Sequence, residues 1–152
     1  MGLPESELIR SEIVLRDMQF LSEVKLAKKS LIRWLALSLG LITPNETRTL
    51  ILDILEALFG FHFEGHEPTM HEIISRVSKI NPKSNHKAIR YHMGQLKKAG
   101  ILSRTKGRYR FSLSPSQENR DVGAALEYLY ISQAKSSFEK IRKAITALEH
   151  TY

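Results

Sequence analysis

Between positions 73 and 117 the chain carries eleven basic residues (Arg76, Lys79, Lys83, Lys87, Arg90, Lys97, Lys98, Arg104, Lys106, Arg108 and Arg110) and no acidic one. Within the same 45 residues the apolar spacing changes period. Ile73, Ile74, Val77 and Ile80 recur at three to four residues, as on one face of a helix, and Ile89, Met93 and Leu96 do so again. After Ala99-Gly100 the period drops to two: Tyr109, Phe111 and Leu113 point one way, Arg108, Arg110 and Ser112 the other, as on a strand. Asn81-Pro82 must interrupt the first helical stretch, because proline lacks an amide and clashes with the preceding turn. Lys106-Gly107 suits a tight hairpin turn between two short strands. The order helix, turn, helix, basic hairpin follows, with one face of each element apolar.

Net charge is +7, so the other 107 residues carry −4. An acid-free stretch inside a globular pattern points to a polyanionic partner, because neutralised phosphates release counterions; the alternative is a solvated basic face. The chain has 152 residues and 42% hydrophobic content, enough for one domain with helical extensions. It contains no cysteine, which excludes disulfides, thiolate metal sites and a thiol nucleophile. The first ten residues lack the basic start and apolar run of a signal peptide, and the longest apolar stretch, 34–42, is too short for a membrane span. A soluble, cytoplasmic protein without membrane contact is expected.

Three regions result: a helical amino-terminal extension (1–42), a central domain (43–114) and a carboxy-terminal helix (115–152). In the first, Ile9, Ile13, Phe20, Val24, Leu31 and Trp34 recur near helical spacing and predict one or two long helices over 4–38. Thr43-Pro44-Asn45-Glu46 and Thr69-Met70-His71-Glu72 have the pattern of capping boxes, each opening a helix, and Gly60 can end the first. Ser84 or Asn85 can cap the helix that follows Pro82. Ser114, Pro115 and Ser116 read as a linker. Beyond it, Ile131, Ala134, Phe138, Ile141, Ile145, Leu148 and Tyr152 keep a 3-4 heptad spacing. Ile131, Phe138, Ile141, Ile145 and Leu148 are expected to form a homodimer seam; packing against Ile13, Phe20 and Val24 of the same chain is the alternative.

Residues 84–102, SNHKAIRYHMGQLKKAGIL, followed by RTKGRYRF at 104–111, resemble the recognition helix and wing of winged helix-turn-helix transcriptional regulators of the ArsR and MarR type, bacterial and archaeal. The resemblance spans about half the chain, 44–113. It implies a mainly α fold with a small β-hairpin wing, the winged helix-turn-helix core being flanked by long helices at both ends, and sequence-specific binding of double-stranded DNA.

Helical geometry supports this independently. With Ile89, Met93, Leu96 and Gly100 inward, Lys87, Arg90, Tyr91 and Gly94 face outward, where a major groove would meet them. His92 falls beside the core. Ser84, Asn85 and His86 lie at the amino end, which commonly reaches base edges. Lys98 and the wing cations Arg104, Lys106, Arg108 and Arg110 suit phosphates or a minor groove; charges on an edge hairpin also prevent aggregation.

Two rival functions differ in what they demand. A winged helix used for protein contacts needs an apolar outward face on this helix, and one used for RNA needs exposed stacking aromatics. An enzyme is not expected: no phosphate-binding glycine loop, nucleophile elbow or paired carboxylates beside a histidine is present. No cofactor is expected. His62, His66 and His71, interleaved with Glu64, Glu67 and Glu72, are metal-ligand candidates that would make a metal-responsive regulator; a solvated loop with a helix cap is the simpler reading.

Overall fold

A computed structural model describes residues 2–47, 49–112 and 121–152. The protein is mainly helical with one two-stranded antiparallel hairpin. It divides into two compact units, Met1–Leu52 and Asp53–Tyr152.

The first unit corrects the expectation of a long amino-terminal helix. Two short 3-10 turns, Pro4–Leu8 and Ser22–Leu26, flank a non-helical segment, and α1 covers only Lys28–Ser38. The reason lies in the end of α1. The Arg16 guanidinium donates to the carbonyls of Leu37 (2.6 Å) and Ile42 (2.9 Å), and its backbone N–H donates to the Ser38 carbonyl (2.8 Å). Trp34 donates its indole N–H to the Gln19 carbonyl and packs on Phe20, ring centroids 5.1 Å apart. The chain runs alongside α1 and satisfies its orphan carbonyls, which a continuous helix could not do. Gly40 makes this approach feasible: its φ is +71°, and a Cβ there would fall 2.5 Å from Val14.

The Thr43–Glu46 pattern forms a turn, with the Glu46 N–H donating to the Thr43 carbonyl, and α2 begins at Leu50 and runs to Phe63. Positions 44–49 hold no large apolar side chain, so a helical turn there would bury nothing. At the other end Gly60 does not stop α2. The stop is Gly65, at φ +74°, after which the His66 N–H reaches the Phe61 carbonyl as in a Schellman cap.

In the second unit α3 (Met70–Ile80) and α4 (His86–Lys98) follow the expected order, then β1 (Leu102–Thr105) and β2 (Arg108–Phe111), then α5 (Val122–Glu149). The Thr69 capping box is complete on both sides, and Asn81 caps the end of α3. Asn81 also sets the turn between α3 and α4: its amide donates to Asp53 (3.2 Å) and its Oδ1 accepts the Lys83 N–H (3.1 Å). The hairpin pairs Leu102 with Phe111 and Thr105 with Arg108, leaving Lys106-Gly107 as a two-residue turn. Both turn residues have positive φ, +54° and +78°, as a type I′ turn requires. The core gathers Ile54, Leu58 and Phe61 of α2, Ile73 and Val77 of α3, Ile89, Met93 and Leu96 of α4, and Leu102, Tyr109 and Phe111 of the hairpin. Leu113 and the 114–116 linker lie outside the described residues. Among the described residues, no helix is long and apolar enough to cross a membrane.

Candidate nucleic-acid interface

The α4 helix is amphipathic in the expected register. Ile89, Met93 and Leu96 are buried, while Lys87, Arg90, Tyr91 and Gly94 are exposed, Tyr91 at 63%. Once that inner face has been buried, the outer face cannot turn inward without emptying the core, so its side chains face solvent. His92 is half-buried, with its ring edge-on to Tyr91.

Not every predicted contact residue is equally available. Asn85 is the cap of α4: its Oδ1 accepts the N–H groups of Lys87 (2.8 Å) and Ala88 (3.2 Å), which commits the side chain to the helix start. Ser84 is half-buried before it, and His86, the first helical residue, is exposed. Lys98 is exposed in the last turn of α4.

The hairpin splits its four cations. Arg108 and Arg110 alternate with buried Tyr109 and Phe111. Arg104, paired across the ladder with Tyr109, holds its guanidinium 5.4 Å from that ring. Lys106 occupies the tip. Arg108 is tied down: it donates to the Glu67 carbonyl (2.8 Å) and lies 3.5 Å from a Glu72 carboxylate oxygen, while its backbone forms an isolated bridge with Thr69. The Tyr109 N–H donates to the Pro68 carbonyl (2.8 Å). The residues entering α3 thus act as a short third strand at the hairpin, which periodicity cannot reveal because a bridge of one residue has no period. Arg76 is also held inside the unit, paired with Glu64 at 2.8 Å and stacked 3.7 Å over the Phe61 ring. Among the described residues, none of Lys87, Arg90, Lys98, Lys106 and Arg110 pairs with an acid.

The histidine loop is built for structure. His66 Nε2 donates to Glu72 Oε2 at 2.6 Å, and Glu72 Oε1 accepts the Thr69 backbone N–H at 3.0 Å. That backbone hydrogen bond, with His66 beside it, brings the Glu72 carboxyl down to about 2. His62 lies edge-on to Phe111 at 5.7 Å, and His71 is exposed. Among the described residues, no group of three histidine or carboxylate side chains is placed to hold a metal ion.

Glycines separate interior from exterior demands. Gly60 is tight against Arg76, and Gly40, Gly65, Gly100 and Gly107 need positive φ. Gly94, in mid-helix, has neither reason: among the described residues, no atom beyond its chain neighbours and its own helix backbone lies within 4 Å of a Cβ placed there. No family model, curated protein or solved structure matches this chain.

Proposed function

We propose that the second unit contains a winged helix-turn-helix that binds double-stranded DNA in a sequence-specific manner and serves transcriptional regulation. In this reading α4 enters the major groove, and the hairpin contacts phosphates or the adjoining minor groove. The observation that carries it is the outer face of α4, where, among the described residues, Lys87, Arg90 and Tyr91 stand exposed without acidic partners around a glycine that no neighbour requires. Lysine and arginine at such positions donate to guanine edges, and tyrosine meets a phosphate or a thymine methyl. The absence of a Cβ at position 94 lets a phosphodiester backbone come closer to the helix. Lys106 and Arg110 extend the same chemistry onto the hairpin.

Titration of the full chain against mixed-sequence duplex DNA by fluorescence anisotropy, at several salt concentrations, tests the reading. Affinity should fall linearly in log–log form as salt rises, and Arg90→Ala should weaken binding to a selected site by roughly 1–3 kcal/mol with the melting temperature unchanged. Salt-independent binding, or none at low salt, would overturn it.

A further inference from the structure

The carboxy-terminal half of α5 presents an apolar row that is exposed among the described residues of the second unit. Val122 and Ala125 at the start of the helix are buried, and Leu129 sits against Gly100, 3.1 Å from where a Cβ would stand. From 135 to 152 every residue is exposed. Ile131, Phe138, Ile141, Ile145 and Leu148 are 44% to 59% exposed and share one 3-4 seam, while Tyr152, fully exposed, continues the spacing beyond the helix end at Glu149. Helix propensity alone holds a segment of this length only marginally, and such a row is costly to leave in water.

We infer that this seam pairs with a second copy of the chain, and that the two α5 helices run antiparallel. Charge on the flanks decides the direction. One flank of the seam carries Lys135, Arg142 and Glu149 at seven-residue steps; the other carries Ser137, Ala144 and Thr151. In a parallel pair each flank faces the opposite flank of its neighbour, so the charged residues meet only neutral ones. In an antiparallel pair each flank faces itself. Setting Ile141 beside the partner's Ile145 brings Phe138 beside the partner's Leu148, and leaves Ala134, the smallest seam residue, beside the segment that follows the partner's helix. The same register places Lys135 against the partner's Glu149, twice by symmetry.

Its one unfavourable contact is Arg142 facing its own copy at the solvated edge, a weak repulsion. Sliding by one heptad one way would put Lys135 against the partner's Arg142 twice; sliding the other way would pair Arg142 with the partner's Glu149 but leave Phe138 with no seam partner. Phe138, Ile141, Ile145 and Leu148 of each helix then form one continuous uncharged contact, the composition of an interface core. This pairing does not depend on DNA binding.

The lack of native cysteine makes the test direct. Phe138→Cys and Leu148→Cys chains, mixed under mild oxidation, should form the mixed disulfide, while neither cross-links with itself. A parallel pair would cross-link each variant alone, and this would overturn the orientation. Lys135→Glu and Glu149→Lys should each weaken dimerisation in sedimentation severalfold, and the double exchange should restore it. A full-length chain that stays monomeric at tens of micromolar, with no disulfide in the mixture, would overturn the pairing, whatever the outcome of DNA titration.

Discussion

The α4 helix and the distal half of α5 are both regular and amphipathic, yet they use their apolar faces in opposite ways. In α4, Ile89 and Met93 are fully buried by neighbours from the same chain, and what remains outside is cationic. In α5, Phe138 and Ile145 are more than half exposed. A helix whose apolar side is already covered leaves its polar side to solvent, and on the proposed reading the cations of that side in α4 meet a polyanion. A helix whose apolar side is uncovered calls for an apolar partner. The same pattern in sequence therefore points to two kinds of association, and burial is what tells them apart.

The largest test of this contrast is a pair of identical truncations. Ile89→Ala should destabilise the fold by about 2–5 kcal/mol, through lost burial and a cavity. Ile145→Ala should leave the second unit's intrinsic stability nearly unchanged and act on assembly, so that denaturation becomes less dependent on protein concentration. Equal, concentration-independent losses in chemical denaturation would erase the distinction between the two helices.

A finer version lies in the hairpin. Arg110→Ala should lower the slope of log affinity against log salt by about one phosphate contact without moving the melting temperature. Arg108→Ala should cost about 1 kcal/mol of stability, because it removes the tie to the Glu67 carbonyl, while the salt slope stays the same. Reversed outcomes would exchange the roles of two arginines that stand two residues apart.

Gly94→Ala separates stability from binding at one position. The variant should be more stable by roughly 0.5–1 kcal/mol, since alanine is the better helix former and meets no neighbour, and it should bind duplex DNA more weakly. A gain in stability with unchanged affinity would mean that nothing approaches α4 there.

The last effect is that of pH on the capping box. The Glu72 carboxyl lies at about 2 in the folded chain against an ordinary 4.5. Its contribution to stability is therefore complete above about pH 4.5 and disappears as the pH falls toward about 2. Glu72→Gln should show a smaller acid-induced loss over that window, measured by chemical denaturation at fixed salt.

Much of the second unit is legible in local sequence alone. The register of α4, the Thr69–Glu72 box and the Lys106-Gly107 turn depend on residues adjacent in the chain: an apolar repeat, reciprocal side-chain caps and a tolerance of positive φ. Local pattern misleads where distant residues intervene. Ile9 to Val24 keep near-helical spacing, but the fold uses Arg16 and Gln19 as partners for α1. Thr43 to Glu46 spell a capping box, yet no apolar face follows soon enough to reward a helix.

The sequence by itself determined the helix–turn–helix–hairpin order, the acid-free basic run and the heptad row, because each is a local pattern of period, charge and turn chemistry. Only the tertiary structure decided which of those charges are available. Arg76 and Arg108 look no different in sequence from Arg90 and Arg110, but Glu64, Glu67 and Glu72 come from outside the basic run and hold them. An ion pair across 12 or 36 positions depends on how the chain folds back, and no local pattern encodes that separation.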